Sequence, residues 1–188
     1  MTKPERSRAK GLQIDPLSSG SNFGVASTLV LNRRWDEAIV HLRKAIELDP
    51  NYWFHHSYLG RAYEQKGMMP EAIAEFKLAF ALDNLQSENW AGLAHAYAVS
   101  GRTDEAQKML DDLLRKSSAN NYVSPYSVAI IYAGLEDKDK TFSWLERAYS
   151  DRSYYLPVYL TTDARLDYLH SDPRFKDLVR RIGLPELT

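Results

Sequence analysis

The sequence predicts an all-α protein: about four helical hairpins stacked in chain order, followed by a helical segment that caps the last one. Three observations support this prediction. Small and aromatic residues recur at a fixed period, glycine and proline fall between the apolar segments, and no segment has the uninterrupted alternation of a strand. Such a period is typical of repeat proteins, whose short units share one core because none can bury its apolar face alone.

The repeat is clearest around three alanines. Ala38, Ala72 and Ala106 follow one another at intervals of 34 residues. A large apolar residue comes four positions after each alanine, and a small or apolar residue comes three positions later still. Because such positions share one face of a helix, each set predicts the apolar face of a second hairpin helix. These positions are Leu42, Phe76 and Leu110, and then Ala45, Ala79 and Leu113.

Turn residues place the helix ends. Gly67 and Gly101 fall where a helix must end and the chain must reverse. Pro70 and Pro125 are typical of the first turn of a helix, and Pro50 closes one. The predicted helices are 20–32, 35–48, 53–66, 70–82, 87–100, 103–116, 124–135 and 138–150, with a short one near 153–160 and a last one from Asp172 and Pro173 to Gly183.

The spacing resembles the tetratricopeptide repeat (TPR), which carries W-x2-L-G-x2-Y, then A-x3-F, then P. The second unit matches with Leu59, Gly60, Tyr63, Ala72 and Phe76. The resemblance implies a right-handed α-solenoid in which the first helix of each hairpin lines a concave surface. We expect an N-terminal tail with a partial repeat at 1–18, four units at 19–52, 53–86, 87–121 and 122–150, and capping helices at 151–188.

Sequence features at both ends of the repeat array predict how the array begins and ends. The segment KGLQIDP at Lys10 to Pro16 echoes KAIELDP at Lys44 to Pro50. Two interpretations stay open: the polypeptide is cut from a longer array, or it has an N-terminal stub that lost its first helix. At the other end one apolar stripe, formed by Phe175, Leu178, Val179 and Ile182, predicts that the last helix covers the final hairpin.

Two segments extend the resemblance. They are VSPYSVAIIYAGLEDKDKTFSWLERAY at Val123 to Tyr149 and LHSDPRFKDLVRRIGLP at Leu169 to Pro185. Both resemble the C-terminal TPR regions that follow winged-helix, adenylate-cyclase or serine/threonine-kinase modules in bacterial signalling proteins. This resemblance implies a sensory or docking role, and it carries over no chemistry.

The amino-acid composition argues against several classes of function. The chain has 188 residues, 44% of them hydrophobic, with a net charge of −1 and no cysteine. A near-neutral charge argues against nucleic-acid or anionic-membrane binding, and the absence of cysteine excludes disulfides and thiol catalysis. No apolar run is long enough to span a bilayer, and the N-terminus lacks the apolar core of a signal peptide. We therefore expect a cytoplasmic protein that binds neither nucleic acid nor membrane directly.

The residues of catalytic chemistry do not fall into functional patterns. The five histidines lack any metal-ligand spacing, and no phosphate-binding or nucleophile motif occurs. Asp111 with Asp112, and Glu136 with Asp137, are adjacent carboxylates on predicted helices or turns, so their side chains point apart. The prediction is therefore no enzyme, no catalytic residue, no metal and no cofactor.

The candidate site is the concave surface. In the TPR resemblance its lining takes the second, fifth, ninth and twelfth places of each unit. Arg61 and His95 are expected to meet an acidic or polar group, and Phe54 and Tyr126 to anchor apolar side chains. The alternative is that these residues only stabilise neighbouring repeats. The predicted partner-binding residues are Phe54, Ser57, Arg61, Glu64, Glu88, Ala91, His95, Tyr126 and Ile130.

The predicted function is a scaffold that binds a protein or peptide partner. Some TPR domains bind the terminal carboxylate of a peptide with Lys and Asn at the fifth and ninth places. One unit of this chain has Ser57 and Arg61 there, so we do not expect it to bind a terminal carboxylate in this way. The alternative function is a structural or self-association region of a larger signalling protein, with a homodimer as its simplest form. The tail tyrosines, Tyr154, Tyr155, Tyr159 and Tyr168, are expected to cover the last hairpin, with a partner surface as the alternative.

Overall fold

A computed structural model of the chain describes residues 18–118 and 122–185, and no residue within these ranges lies in a strand. The predicted all-α class is confirmed for this part of the chain. The partial repeat predicted at Lys10 to Pro16 lies outside it. No described helix is both long and apolar enough to cross a membrane. The helices are α1 (Ser19–Leu31), α2 (Trp35–Leu48), α3 (Trp53–Gln65), α4 (Met69–Leu82), α5 (Ser87–Val99), α6 (Thr103–Ser118), α7 (Pro125–Gly134), α8 (Lys138–Ser150), α9 (Tyr155–Tyr159), the 3-10 helix η1 (Ala164–Leu169) and α10 (Pro173–Ile182).

The chain divides into two compact units: unit 1 ends at Asn84, and unit 2 begins at Leu85. Unit 1 contains two helical hairpins, α1 with α2 and α3 with α4, and α2 also packs on α3. Its core consists of the small and large apolar residues that the repeat predicts. They are fully or almost fully buried: Ala26, Leu29, Ala38, Leu42, Ala45, Leu59, Ala62, Tyr63, Ala72, Phe76 and Ala79.

Gly60 sets how closely α3 and α4 approach. A Cβ atom on Gly60 would lie 2.8 Å from the Phe76 ring, closer than carbon atoms pack. Because Gly60 has a hydrogen where other residues have Cβ, the aromatic ring can fill this space, and Phe76 itself has no exposed surface. The small residue before the tyrosine of the TPR pattern thus has a direct packing function here.

The hairpin turns use one backbone conformation with different residues. Gly67 and Gly101 have φ angles of 72° and 81°, as the glycine pattern predicts. The equivalent turns after α1 and α7 place Arg33 and Glu136 at a φ of 59°. Both residues adopt the left-handed backbone conformation, in which the close approach of Cβ to the backbone costs energy.

Unit 2 repeats the arrangement and adds the tail. Helix α5 packs on both α6 and α7, and α7 pairs with α8. The 3-10 helix η1 packs on α7, and α10 packs on α8. The buried residues of α10 are Phe175, Leu178 and Val179, and Ile182 is half-buried, so the predicted apolar stripe faces its own unit.

Helix α10 begins and ends as its sequence predicts. The Asp172 carboxylate accepts a hydrogen bond from the Arg174 backbone N–H at 2.9 Å, and Gly183 adopts a φ of 79° at the other end. The Arg174 guanidinium lies 2.8 Å from Asp139 of α8 and 4.1 Å from the centroid of the Phe142 ring. This arginine therefore fastens the cap to the last hairpin.

The eight predicted hairpin helices are present with ends within two residues of the observed ones, and the short helix predicted near 153–160 is α9. The 3-10 helix η1 was not predicted. The division into four repeat units with the boundaries given above stays a prediction.

Candidate functional site

Unit 1 carries a group of aromatic rings where α1 meets the start of α3. We call Phe23, Tyr52, Phe54 and Tyr58 the aromatic surface. The Phe23 ring centroid lies 5.1 Å from that of Tyr58 and 5.8 Å from that of Phe54. Tyr52 lies 5.6 Å from Phe54. The planes of Phe23 and Tyr58 cross at 81°, an edge-to-face arrangement that the charge distribution of the rings favours.

Part of the aromatic surface remains open to solvent. Tyr58 is buried, Phe54 is half-buried, and Tyr52 is 42% exposed. Trp53 stacks on Phe54 with the ring centroids 3.8 Å apart. The Arg61 guanidinium lies 5.3 Å from the centroid of the Tyr58 ring, one turn further along α3. Aromatic rings and an arginine at one place are the side chains that contribute most to protein interfaces.

The buried His55 ring packs against the aromatic surface and is itself held by hydrogen bonds. Its Nδ1 lies 3.1 Å from the Asp49 carbonyl oxygen, which can only accept, so Nδ1 donates its proton there. Its Nε2 lies 3.2 Å from the Ser19 hydroxyl. Burial lowers the pKa of His55, which keeps the imidazole neutral. The ring lies 5.4 Å from Phe23 and 4.9 Å from Tyr52, centroid to centroid, and so fixes both.

In unit 2 a carboxylate is held by hydroxyl groups. Glu88, in the first turn of α5, accepts a hydrogen bond from the Tyr155 hydroxyl. The hydroxyls of Ser87 and Ser127 lie 3.4 Å and 3.5 Å from its Oε1. Burial raises the pKa of Glu88, and hydrogen bonds from its own backbone N–H and from these hydroxyls lower the pKa in part. Burial, together with the Glu88 charge, also raises the pKa of Tyr155, which therefore keeps its proton and stays a donor.

Tyr155 also belongs to a group of tyrosine rings. We call Tyr126, Tyr154, Tyr155 and Tyr159 the tyrosine cluster. Tyr159 lies 6.2 Å from Tyr126 and 6.0 Å from Tyr155, in the second case with nearly parallel planes. Tyr154 lies 5.8 Å from Tyr155 and is 75% exposed. Three of the four rings come from α9 and the residue before it, so the tail brings them to the first helices of unit 2.

Two family models match the repeats. Residues 32–67 match a family model described as TPR repeat, and residues 65–123 match one described as tetratricopeptide repeat. Residues 32–123 of this chain therefore resemble tetratricopeptide repeats. Among curated relatives, it is 24% identical over 137 residues to anaphase-promoting complex subunit 3 of the yeast Schizosaccharomyces pombe. That match covers 73% of this chain and 20% of the relative, so the chain spans about a fifth of that subunit's length.

Solved TPR structures share the fold. YrrB, described as a TPR protein with an unusual peptide-binding site, is 15% identical, with a TM-score of 0.54, over 95% of this chain and 91% of its own. A thermophilic TPR protein of Thermus thermophilus, TTC0263, is 16% identical, with a TM-score of 0.63, over 95% of this chain and 87% of its own. At such identities the likeness establishes the TPR fold, which confirms the predicted fold class.

The nine residues predicted to line a TPR groove divide by exposure. Phe54, Arg61 and Glu88 are half-buried and lie at the aromatic surface or beside the tyrosine cluster. A buried side chain offers no surface to another molecule, so we place the candidate contacts at these three. The role of the others in partner binding stays a prediction. The buried six are Ser57, Glu64, Ala91, His95, Tyr126 and Ile130.

His95 illustrates why the TPR position alone does not decide exposure. A Cβ atom on Gly134 of α7 would lie 2.8 Å from His95 Cδ2 and 3.1 Å from its Cα, so the two helices nearly touch at this point. His95 therefore fills space between helices of one unit and is only 5% exposed. This arrangement matches the alternative interpretation, in which such residues stabilise neighbouring TPR repeats.

The sequence alone did not indicate that a tail tyrosine contacts Glu88. It expected them to cover the last hairpin, and Tyr126 does contact the tail, donating to Asp163 at 3.0 Å. The aromatic composition of SYYLPVYL was the available signal, but only the fold places it beside α5. Tyr52 was also missed as an exposed ring, because it does not fall on a lining place of the TPR pattern.

The donor groups for a metal site are dispersed. Within residues 18–118 and 122–185 no three His, Asp or Glu side chains lie close enough to hold an ion. The geometry of both units therefore offers aromatic faces, an arginine and a carboxylate, which are groups for recognising another polypeptide.

Proposed function

We propose that this chain is a scaffold that acts in the cytoplasm and binds a peptide or protein segment at the aromatic surface, with Arg61 at the edge of the contact. TPR proteins generally mediate protein–protein interactions, and the first helices of their hairpins are the habitual binding face. Phe54 and Arg61 take the second and ninth places of their unit, and Phe23 takes the fifth place of the preceding unit, all of them lining places on a first helix.

The observation that carries this proposal is the accessibility of rings that already pack together. Tyr52 keeps 42% of its surface exposed although it contacts Phe23, Phe54 and His55. Rings held by their neighbours lose little further conformational freedom when a partner binds. A preorganised apolar surface with a cation beside it therefore favours an extended segment with one bulky apolar side chain and a nearby acidic group.

The relatives give independent support of a general kind. YrrB is described by its peptide-binding site, and the yeast relative is a subunit of a multi-protein complex. Both descriptions concern those proteins. They agree with a binding role for this chain and leave the identity of its partner to experiment.

Peptide selection tests the proposal directly. The full chain, immobilised, is used to select from a random peptide library displayed on phage, and the selected peptides are synthesised with a fluorophore for anisotropy titration. We expect Phe54→Ala and Arg61→Glu each to weaken binding by about tenfold or more, because truncating an interface anchor typically costs over 1 kcal/mol.

Two exposed residues on second helices provide matched controls. Val40→Ala removes apolar area from α2, and Lys77→Glu reverses a charge on α4; both residues are exposed. These variants should bind as the unchanged chain does. If the controls weaken binding as much as the aromatic-surface variants, or if no peptide is selected in repeated trials, the proposal is wrong.

Self-association within a larger bacterial signalling protein remains the second candidate function. Helix α4 exposes Ala74, Leu78 and Ala81, which lie at helical spacing on one face, and Leu78 is 48% exposed. A second copy of the chain would cover such a face. Sedimentation equilibrium should then give a dimer that Leu78→Lys dissociates, and a monomer at all concentrations would count against this candidate.

A further inference from the structure

We infer that Glu88 and the exposed edge of the tyrosine cluster form a binding site for a cationic side chain, a lysine or an arginine, of the partner polypeptide. The inference rests on the proposed function in so far as the cation belongs to a bound peptide. It adds a site in unit 2 and a chemical class of ligand, and it does not use the aromatic surface of unit 1.

The first argument is the state of the Glu88 carboxylate. Its hydrogen-bond donors are its own backbone N–H and the hydroxyls of Tyr155, Ser87 and Ser127, all of them neutral. No salt bridge found among the described residues involves Glu88. A half-buried carboxylate has lost part of its hydration, so an incoming cation would gain more from it than from a carboxylate in water.

The second argument is the arrangement of the rings. Tyr155 and Tyr159 lie nearly parallel at 6.0 Å, and Tyr154 meets Tyr155 at 77° with a centroid distance of 5.8 Å. Tyr122 is close enough to interact electrostatically with Tyr155, and it is also exposed. The faces of tyrosine rings carry partial negative charge and attract ammonium and guanidinium groups. Tyr155 joins the rings to the carboxylate, because its hydroxyl binds Glu88 and its ring contacts both Tyr154 and Tyr159.

The third argument is what a purely structural role leaves unexplained. A carboxylate in the first turn of a helix stabilises that helix by itself, as Glu71 does at the start of α4. Such a role does not need Tyr154, which keeps 75% of its surface in solvent at the outer side of the tyrosine cluster. Tyr154 packs instead on Tyr155, which binds Glu88, and an exposed ring that extends such a carboxylate site offers a face to a cation.

The test uses a charged probe and its neutral isostere. The full chain, with 13C-labelled tyrosine, is titrated with N-acetyl-arginine methylamide and separately with N-acetyl-citrulline methylamide, and the tyrosine ring signals are followed by NMR. We expect saturable shifts at Tyr154, Tyr155 and Tyr159 with the arginine probe, and binding at least about tenfold weaker with the citrulline probe, because the cation–π and ionic terms require charge.

Variants assign the site. Glu88→Gln should weaken the arginine probe about tenfold. Tyr154→Ala, at an exposed ring whose loss leaves the core intact, should weaken it severalfold. Glu71→Gln, at the matched first-turn acid of α4, should leave binding unchanged. Circular dichroism of each variant checks folding, and Tyr154→Ala keeps the test decisive if Glu88→Gln unfolds.

A further arm separates this inference from the proposed function. In peptides selected by the full chain, each lysine is replaced by norleucine and each arginine by citrulline. The site is supported if these replacements weaken binding to the unchanged chain but do not weaken binding to the Glu88→Gln variant. If selected peptides bind through Phe54 while the arginine probe gives no saturable shift, or shifts equally for citrulline, the cation site is wrong and the proposed function stands.

Discussion

The His56 imidazole donates hydrogen bonds from both of its nitrogens, to the Glu75 carboxylate at 2.7 Å and to the Pro50 carbonyl oxygen at 2.9 Å. Neither acceptor carries a proton to give, so both contacts are hydrogen bonds together only when His56 is an imidazolium. The hydrogen bond to Glu75 raises the pKa of His56 more than burial lowers it. This pair ties α3 to α4, while the neighbouring His55 is neutral.

The first prediction follows from this charge. Because the folded-state pKa of His56 lies above the unfolded value near 6.5, its contribution is complete below about pH 6.5 and is lost as pH rises through the folded pKa. His56→Gln should therefore cost roughly 1–2 kcal/mol more at about pH 6 than at about pH 9, measured by urea unfolding. His55 is the control: burial lowers its pKa, so its contribution changes with pH in the opposite sense. A cost at His56 that grows with pH would contradict the imidazolium assignment.

The second prediction concerns Gly60. Alanine there would place Cβ 2.8 Å from the Phe76 ring, so the ring or the helix must move. We expect Gly60→Ala to destabilise the chain by roughly 1–3 kcal/mol, the usual cost of overpacking a core. The double variant Gly60→Ala, Phe76→Leu should recover part of that loss, because the smaller side chain vacates the contested space. Additive losses in denaturant unfolding would refute the steric explanation.

Local signals explain why the helices were predictable. Asp172, Pro173 and Gly183 fix the two ends of α10 through contacts made within a few residues, and the repeat period places the hairpins. Helix η1 escaped prediction because its cap, Asp163, is held by Arg165 and by Tyr126, which lies 37 residues away. Short 3-10 segments have little periodicity of their own.

The sequence predicted which face of the helices would carry the candidate site, but not which residues of that face would be exposed. The TPR pattern indicated Phe54, Arg61 and Glu88 from their places on first helices. It could not indicate that Gly134 would bring α7 onto His95, or that Tyr155 would reach Glu88, since both contacts join residues far apart in the chain. Exposure of a repeat position depends on such non-local neighbours, which periodicity does not contain.

The third prediction concerns the left-handed turn at Glu136. Its φ of 59° lies in the left-handed region, which Gly67 and Gly101 adopt without a Cβ atom. Glu136→Gly should stabilise unit 2 by about 0.5–1 kcal/mol, the strain relieved less the entropy that glycine adds to the unfolded chain. The reverse change, Gly101→Ala, should cost about 1 kcal/mol although no atom lies within 4 Å of the added Cβ. Thermal unfolding of both variants checks the sign. Destabilisation by Glu136→Gly would mean that the glutamate side chain outweighs the backbone strain.

The fourth prediction concerns the buried ion pair of the tail. Arg165 lies 2.7 Å from Asp163, their side chains are 8% and 2% exposed, and the Tyr126 hydroxyl donates to the same carboxylate at 3.0 Å. Arg165→Met would leave Asp163 charged and buried, so we expect a loss of roughly 3–5 kcal/mol. The double variant Asp163→Asn, Arg165→Met removes the stranded charge and should be more stable than Arg165→Met alone, although it has lost more polar contacts. Urea unfolding of the two variants gives this comparison. If the double variant were the less stable one, the cost would come from lost packing and hydrogen bonds, and the uncompensated charge would not be its source.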